Sequence, residues 1–328
     1  MNFNVGNIQR SSPHLFSDLA ELITLVDYTG RQDLHMSDLS AICAPAPTDL
    51  DEVDDETLSI ASESCDAEVS DRVSRQLEDV WSHLEFRQAT MGDNYPFLIE
   101  GDTIKLKTGL TDLQRIYVML LACSRLRSFP QKGGVRQLWA GYFTKLSKYA
   151  LASLLPAHAV VRIFDANSDD RREYYSTDLR EALVKLGQDL GVASINHAEC
   201  AKVHPSGDGG FDIIATVDFE DSLSSNFAIL GQCGAQETEW PKKTLEAHSI
   251  KLRTYFQTHF DYQAAMLTPV LYRDSQGSWV DTSACAGVLL LDRLRILRLL
   301  GKHPNCPDIT RSDWFLQFEQ MFQSVKME

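Results

Sequence analysis

Two apolar strands that carry polar residues at neighbouring ends constrain this chain more than any other feature. The first strand runs from Ile213 to Val217 and follows Asp212 and a glycine-rich turn, Gly207-Asp208-Gly209-Gly210. The second begins at Phe227 and ends in Gln232. Glycines permit the tight entry turn, and apolar runs of this length are typical of paired strands. The pattern therefore predicts that Asp212 and Gln232 converge at one end of a sheet.

A carboxylate and a carboxamide at such a position are suitable ligands for a hard cation. Mg²⁺ prefers oxygen ligands and keeps several of its waters. A water held in this way can be activated to attack a phosphodiester. We therefore expect a Mg²⁺ or Mn²⁺ site at Asp212 and Gln232, and Cys233 follows directly and offers its backbone carbonyl.

This arrangement resembles the PD-(D/E)XK restriction-endonuclease-like superfamily, especially its Mrr-type branch, in which the second strand ends in Gln-x-Lys. The resemblance extends over roughly residues 135 to 300. It implies that Asp212 binds the metal and that Gln232 occupies the Glu/Gln position. Gly234 stands where the family has lysine, so the resemblance assigns that role to a displaced lysine, Lys243, with Lys242 beside it in Trp240-Pro241-Lys242-Lys243.

A third acidic position of the family is also changed. The core of these nucleases often opens with a helix that carries Phe-Glu, and Phe143-Thr144 stands at the matching place. Glu181, on the next predicted helix, is the substitute that the resemblance suggests. The simpler interpretation of Glu181 is an exposed carboxylate in a first helical turn, where the helix dipole favours it.

Each candidate has an alternative interpretation without a site. Asp208 is more typical of a turn or cap residue than of a ligand. Asp212 could accept hydrogen bonds from local backbone amides, and Gln232 could be a core amide with satisfied hydrogen bonds. The pair Lys242-Lys243 could form a solvated helix face.

The acidic charge of the chain is concentrated at its N-terminal end. The net charge is −15, yet residues 130–328 hold 21 basic and 24 acidic residues, whereas residues 1–129 hold 10 and 22. Ten acidic residues and no basic one lie between Asp49 and Asp71. A solvated loop over residues 44–71 is the ordinary interpretation. A self-inhibiting segment that mimics DNA is the alternative.

The periodicity of the remaining sequence predicts an α/β fold with a mixed central sheet flanked by helices. We expect an N-terminal, mainly helical region over residues 1–132 and a nuclease-like domain over 133–328. A helix is predicted from Val288 to Leu300, with its apolar face on the sheet. Its arginines, Arg293, Arg295 and Arg298, form a solvated face or follow a phosphate backbone.

The function expected from the resemblance is metal-dependent hydrolysis of phosphodiester bonds, in DNA rather than RNA, within prokaryotic defence against foreign DNA. The N-terminal region would bind a protein partner or sense a trigger, and a homo-oligomer stays open. A polar N-terminus, seven scattered cysteines and the lack of a long apolar run favour a cytoplasmic protein without a membrane segment. Two alternatives are a catalytically silent subunit of the same fold and an acidic regulatory protein that binds a partner.

Overall fold

The computed structural model describes residues 1–6, 8–27, 29–42, 64–129, 134–221, 223–244 and 246–327. The predicted acidic loop over residues 44–71 falls mainly on residues 44–63, which lie outside the described residues. The helices are α1 Pro13–Leu25, α2 Met36–Ile42, α3 Ser64–Met91, α4 Asp112–Ser124, α5 Val135–Leu154, α6 Leu179–Asp189, α7 His197–Lys202, α8 Arg293–Leu300, α9 Cys306–Arg311 and α10 Asp313–Gln323. The strands are β1 Asn2–Phe3, β2 Asp33–His35, β3 Phe97–Glu100, β4 Thr103–Leu106, β5 Val160–Ile163, β6 Ser194–Ile195, β7 Ile213–Val217, β8 Phe227–Cys233, β9 Phe256–Gln257, β10 Gln263–Leu267, β11 Leu289–Leu291 and β12 Lys326–Met327.

A five-stranded mixed sheet forms the centre of the fold, in the order β11-β10-β8-β7-β5. Strands β5, β7 and β8 pair antiparallel, whereas β8, β10 and β11 pair parallel. The predicted α/β class, with a mixed sheet flanked by helices, is confirmed. The central strands are mainly apolar because helices cover both faces of the sheet.

The two faces of the sheet have different partners, as strand alternation requires. Ile213 and Ala215 of β7 belong to the main core, together with Phe143 and Leu146 of α5. Ile214, on the opposite face, packs with α6 in a second cluster. Asp212 precedes Ile213 by one residue, so alternation directs its side chain to the α6 face.

The N-terminal helices share their core with the sheet. One continuous cluster of buried side chains contains Phe16 of α1, Ile116 of α4, Phe143 of α5 and Leu297 of α8. The two predicted regions, residues 1–132 and 133–328, therefore contribute side chains to the same core.

A buried ionic network reinforces this connection. Arg87 of α3 contacts Asp18 at 2.7 Å and Glu21 at 2.8 Å, and Arg293 of α8 contacts Asp18 at 2.6 Å. All four side chains are fully buried, and Tyr117 donates a hydrogen bond to Glu21. Buried charges of this kind stabilise a fold only when each is paired, because removal from water is costly.

The C-terminal part of the sheet corrects two expectations. The predicted helix from Val288 to Leu300 is a strand followed by a helix, because Leu289–Leu291 pairs with β10 and Asp292 caps α8 by accepting a hydrogen bond from the Arg295 amide. The expectation of a solvated or phosphate-tracking face that includes Arg293 is wrong, since Arg293 is fully buried in the ionic network. No helix among the described residues has the length and apolar character needed to cross a lipid bilayer.

Candidate metal centre

Strand pairing brings Asp212 opposite Gln232. The last antiparallel pair between β7 and β8 is Ile213 with Gly231, so the next pair outward joins Asp212 and Gln232. The Asp212 amide donates to the Gly231 carbonyl at 2.9 Å, which extends the ladder by that step. Residues directly opposite on one face of an antiparallel pair have neighbouring side chains. The predicted convergence at one end of the sheet is therefore present in the backbone.

Asp212 also holds the end of β5 in place. Its carbonyl accepts a hydrogen bond from the Phe164 amide at 2.6 Å, while one carboxylate oxygen accepts from the Cys233 amide at 2.7 Å. The local-amide interpretation thus describes one oxygen of Asp212. The other oxygen takes no part in this hydrogen bond.

Three carboxylates meet at this sheet end. Asp165, Asp208 and Asp212 each offer an oxygen, and these oxygens all lie within 4.8 Å of one another. Asp165 follows β5 by two residues, and Asp208 lies in the glycine-rich turn before β7. Oxygens at such separations can bind one divalent cation, and an all-oxygen set favours Mg²⁺ or Mn²⁺ over softer metals.

The glycine-rich turn places Asp208 by a backbone path that only glycine follows easily. Gly207, Gly209 and Gly210 have φ values of +105°, +68° and +89°. At these angles a side chain would be strained. Asp208 accepts a hydrogen bond from the Gly210 amide at 2.8 Å, so it is the turn residue that the sequence suggested. It is also a member of the carboxylate cluster, which the turn interpretation alone did not predict.

Gln232 supplies a second, independent indication of a ligand. The side chain is only 8% exposed, and its oxygen Oε1 is buried without a hydrogen-bond partner among the described residues. A buried oxygen without a partner is destabilising, and most such atoms in proteins have one. The interpretation of Gln232 as a core amide with satisfied hydrogen bonds is therefore wrong for this oxygen.

The cluster has a deficit of positive charge. Burial raises the pKa of Asp212 to about 7, the Cys233 amide opposes this rise, and the charges of Asp208 and Asp165 add to it. The Lys243 ammonium lowers the pKa of the same carboxyl. A divalent cation at this position would supply the missing positive charge, because it stabilises the ionised form of each carboxylate.

The structure leaves no room for a side chain at position 234 without a shift of its neighbours. A Cβ atom on Gly234 would lie 2.6 Å from the Cβ of Trp240, a contact shorter than real side chains tolerate. Trp240 is fully buried and begins the 3₁₀ turn Trp240–Lys243. The position of Trp240 therefore disfavours a lysine at 234, and the same turn carries Lys243, whose charge acts on Asp212.

The neighbouring lysines occupy different environments. Lys243 is half-buried, whereas Lys242 is exposed. Lys251, which the sequence analysis did not consider, lies against the glycine-rich turn, with its Nζ 3.1 Å from the ideal Cβ position of Gly210. It comes from the 3₁₀ turn Ser249–Thr254. Two cations, Lys243 and Lys251, thus lie near the carboxylates.

Glu181 and Cys233 do not add side-chain ligands to the cluster. Glu181 is exposed in the first turn of α6 and accepts a hydrogen bond from the Ser176 hydroxyl at 2.7 Å. Burial raises the pKa of the Cys233 thiol, and Cys233 packs against the main core with Phe143 and Leu146 of α5, on the other face of the sheet. Only the backbone of Cys233 faces Asp212.

Asp165 is the member of the cluster that sequence reasoning missed. A signal for it exists, because Asp165 follows a strand-like run, Val160 to Phe164, that is apolar apart from Arg162, in the way that Asp212 precedes one. Comparison of the chain with models of protein families, with curated proteins and with solved structures finds no match.

Proposed function

We propose that this protein is a metal-dependent nuclease that hydrolyses phosphodiester bonds in DNA. The single observation that carries the proposal is the cluster of Asp165, Asp208 and Asp212, which strand pairing places opposite Gln232, a buried residue whose Oε1 has no hydrogen-bond partner among the described residues. Four oxygen ligands on a mixed sheet, with lysines beside them, suit the chemistry that the sequence resemblance implies. The proposed cation is Mg²⁺ or Mn²⁺.

Asp165, Asp208, Asp212 and Gln232 would hold the cation, and the Cys233 carbonyl is a further candidate ligand. A bound divalent cation stabilises charge on the reacting phosphate and lowers the pKa of a coordinated water. The carboxylates would fix the position of the cation, and Gln232 would add a buried oxygen. A carboxamide in place of a carboxylate lowers the negative charge of the site, so we expect modest metal affinity.

The lysines have the second role in the proposal. Charge builds on the phosphate oxygens during hydrolysis, and a fixed ammonium close to them stabilises that charge. Lys243 fits this role best, because it already interacts with Asp212 through space. Lys251 lies against the glycine-rich turn that carries Asp208, where it could contact a neighbouring phosphate of the bound DNA strand.

The proposal extends by analogy to prokaryotic defence against foreign DNA, with the N-terminal helices as the surface for a protein partner. A cytoplasmic location agrees with that role. The second candidate function is a silent nuclease-fold subunit. One observation favours it: Gly234 has no space for the family lysine, so the chain depends wholly on a displaced cation.

Incubation of supercoiled plasmid with the protein and Mg²⁺ or Mn²⁺ tests the function. We expect nicking by the wild-type protein and its loss in Asp212→Ala. The matched control is Asp218→Ala, which changes an exposed aspartate just beyond the other end of β7 and leaves cleavage unchanged. Nicking that persists in Asp212→Ala contradicts the proposal. Metal binding without nicking, in the presence of cell extract as a source of partners, favours the silent subunit.

A further inference from the structure

Arg171 is a buried cation next to the carboxylate cluster. It begins the π-helical turn Arg171–Tyr175, and its side chain is fully buried. Turns of this type are rare and frequently occur at functional sites. A fully buried arginine needs acceptors for its five N–H groups, so the positions of those acceptors indicate what the residue does.

The acceptors of Arg171 are three backbone carbonyls. Nη1 donates to Phe164 at 2.9 Å and to Gly207 at 3.3 Å, and Nε donates to Ser176 at 3.0 Å. The guanidinium also lies over the Phe164 ring, 4.5 Å from its centroid. Each of the three hydrogen bonds thus fixes backbone rather than another side chain.

Two of these carbonyls directly precede cluster residues in the chain. Phe164 comes before Asp165, and Gly207 comes before Asp208. One nitrogen of Arg171 therefore joins two loops that are more than forty residues apart in sequence and that each carry a carboxylate. No hydrogen bond between the side chains of Asp165 and Asp208 holds these loops together within the described residues.

The electrostatics agree with this geometry. Burial lowers the pKa of Arg171, and the charges of Asp208 and Asp165 oppose that effect. The positive charge offsets part of the repulsion between the carboxylates before a cation binds. Nη2 of Arg171 is buried and has no hydrogen-bond partner among the described residues. The guanidinium group is therefore held by the hydrogen bonds of Nη1 and Nε alone.

We propose that Arg171 is the positioning residue of the metal centre, which holds the loops of Asp165 and Asp208 at the separation that a divalent cation requires. This inference rests on the metal site of the proposed function. It assigns to Arg171 no contact with the cation or with DNA. Residues that orient metal ligands typically change metal affinity by about 10- to 100-fold when they are altered.

Binding of Mn²⁺, measured by the electron paramagnetic resonance signal of the free ion, tests the inference without any need for nuclease activity. Arg171→Lys keeps the positive charge but cannot reach both carbonyls with one planar group. We expect Mn²⁺ to bind this variant about 10- to 100-fold more weakly than the wild-type protein. Arg172→Lys is the matched control: Arg172 lies in the same turn, is exposed and pairs with Asp169, so Mn²⁺ affinity stays unchanged.

A double-mutant cycle separates positioning from general stability. If Arg171 acts through Asp208, then Arg171→Lys weakens Mn²⁺ binding much less in an Asp208→Asn background than in the wild-type background. A loss of general stability would weaken binding equally in both. Equal losses, or wild-type affinity in folded Arg171→Lys, overturn the inference.

A milder variant covers the case in which Arg171→Lys does not fold. Phe164→Leu keeps the backbone carbonyl and removes the ring under the guanidinium, and we expect a several-fold loss of Mn²⁺ affinity. Unchanged affinity in this variant overturns the inference. Absence of Mn²⁺ binding by the wild-type protein overturns both this inference and the metal site, whereas Mn²⁺ binding without plasmid cleavage contradicts only the nuclease function.

Discussion

Asp212→Asn should stabilise the metal-free protein, although it removes the central ligand of the proposed site. Burial raises the pKa of Asp212 from 3.8 to about 7. The folded state therefore binds more protons than the unfolded state between about pH 4 and pH 7. The free energy of unfolding consequently falls as pH rises through this window and is level above it.

The magnitude follows from the difference between the two pKa values. It spans about three pKa units, and each is equivalent to about 1.4 kcal/mol. Ionised Asp212 thus destabilises the metal-free fold by about 4 kcal/mol at pH 8, and by less than about 1 kcal/mol at pH 4. Asparagine has the same shape and is neutral at both pH values, so the variant does not carry this penalty.

Urea denaturation at pH 4 and pH 8, in the presence of a chelator, measures the effect. We expect Asp212→Asn to exceed the wild-type free energy of unfolding by about 4 kcal/mol at pH 8 and to match it closely at pH 4. Saturating Mg²⁺ should then stabilise the wild-type protein more than the variant, because only the wild-type site has its full charge.

Asp218→Asn is the control, since Asp218 is exposed beyond the far end of β7 and asparagine can still accept the hydrogen bond from the Glu220 amide. A difference between Asp212→Asn and the wild-type protein that is the same at pH 4 and pH 8 would refute the reasoning. So would a variant that is less stable than the wild-type protein at pH 8.

Three further predictions concern the surroundings of the site. Lys243→Met should raise the pKa of Asp212, observed by carbon-13 NMR of its carboxyl group, and should slow plasmid cleavage by about 10²- to 10³-fold. Lys242→Met changes an exposed side chain and should leave both the pKa and the cleavage rate unchanged. Equal effects of the two variants would show that Lys243 is not part of the site. Gly234→Ala should destabilise the protein by about 1–3 kcal/mol in urea denaturation, because the new Cβ would contact Trp240. Gly141→Ala is the control and should not destabilise the protein, since a Cβ at that position meets nothing within 4 Å. A Gly234→Ala protein as stable as the wild type would show that Trp240 can move. Arg293→Met should cost about 3–5 kcal/mol by leaving Asp18 partly unpaired, and exposed Arg298→Met should change stability by less than about 0.5 kcal/mol; similar values for the two would contradict the buried network.

The sequence was sufficient for the part of the site that is local in the chain. Asp212 and Gln232 belong to two strands joined by a short connection, so alternation and register decide their relation without knowledge of the rest of the fold. The glycine-rich turn likewise needs only local backbone geometry. The mixed sheet followed from the same runs of apolar residues.

The missing parts depend on contacts between distant segments. Asp165 reaches the cluster only because β5 pairs with β7, and the run before it does not by itself show which strand it will pair with. Arg171 and Arg293 are charged residues, which are rarely buried in the absence of partners. Asp18, the partner of Arg293, lies 275 residues away, and Gly207, one acceptor of Arg171, lies 36 residues away. Leu289–Leu291 continued an apolar helical pattern, but pairing with β10 decided in favour of a strand.

The ionic network between α1, α3 and α8 has a consequence for how this architecture can be divided. A fragment that begins at α5 would retain Arg293 but lack Asp18, Glu21 and Arg87. It would therefore bury an unpaired cation in an apolar core, which is destabilising. We therefore do not expect the part of the chain from α5 onward to fold stably without the helices that precede it. A variant that replaces these N-terminal helices would also have to replace Arg293, so that the acidic and basic residues of the network change together.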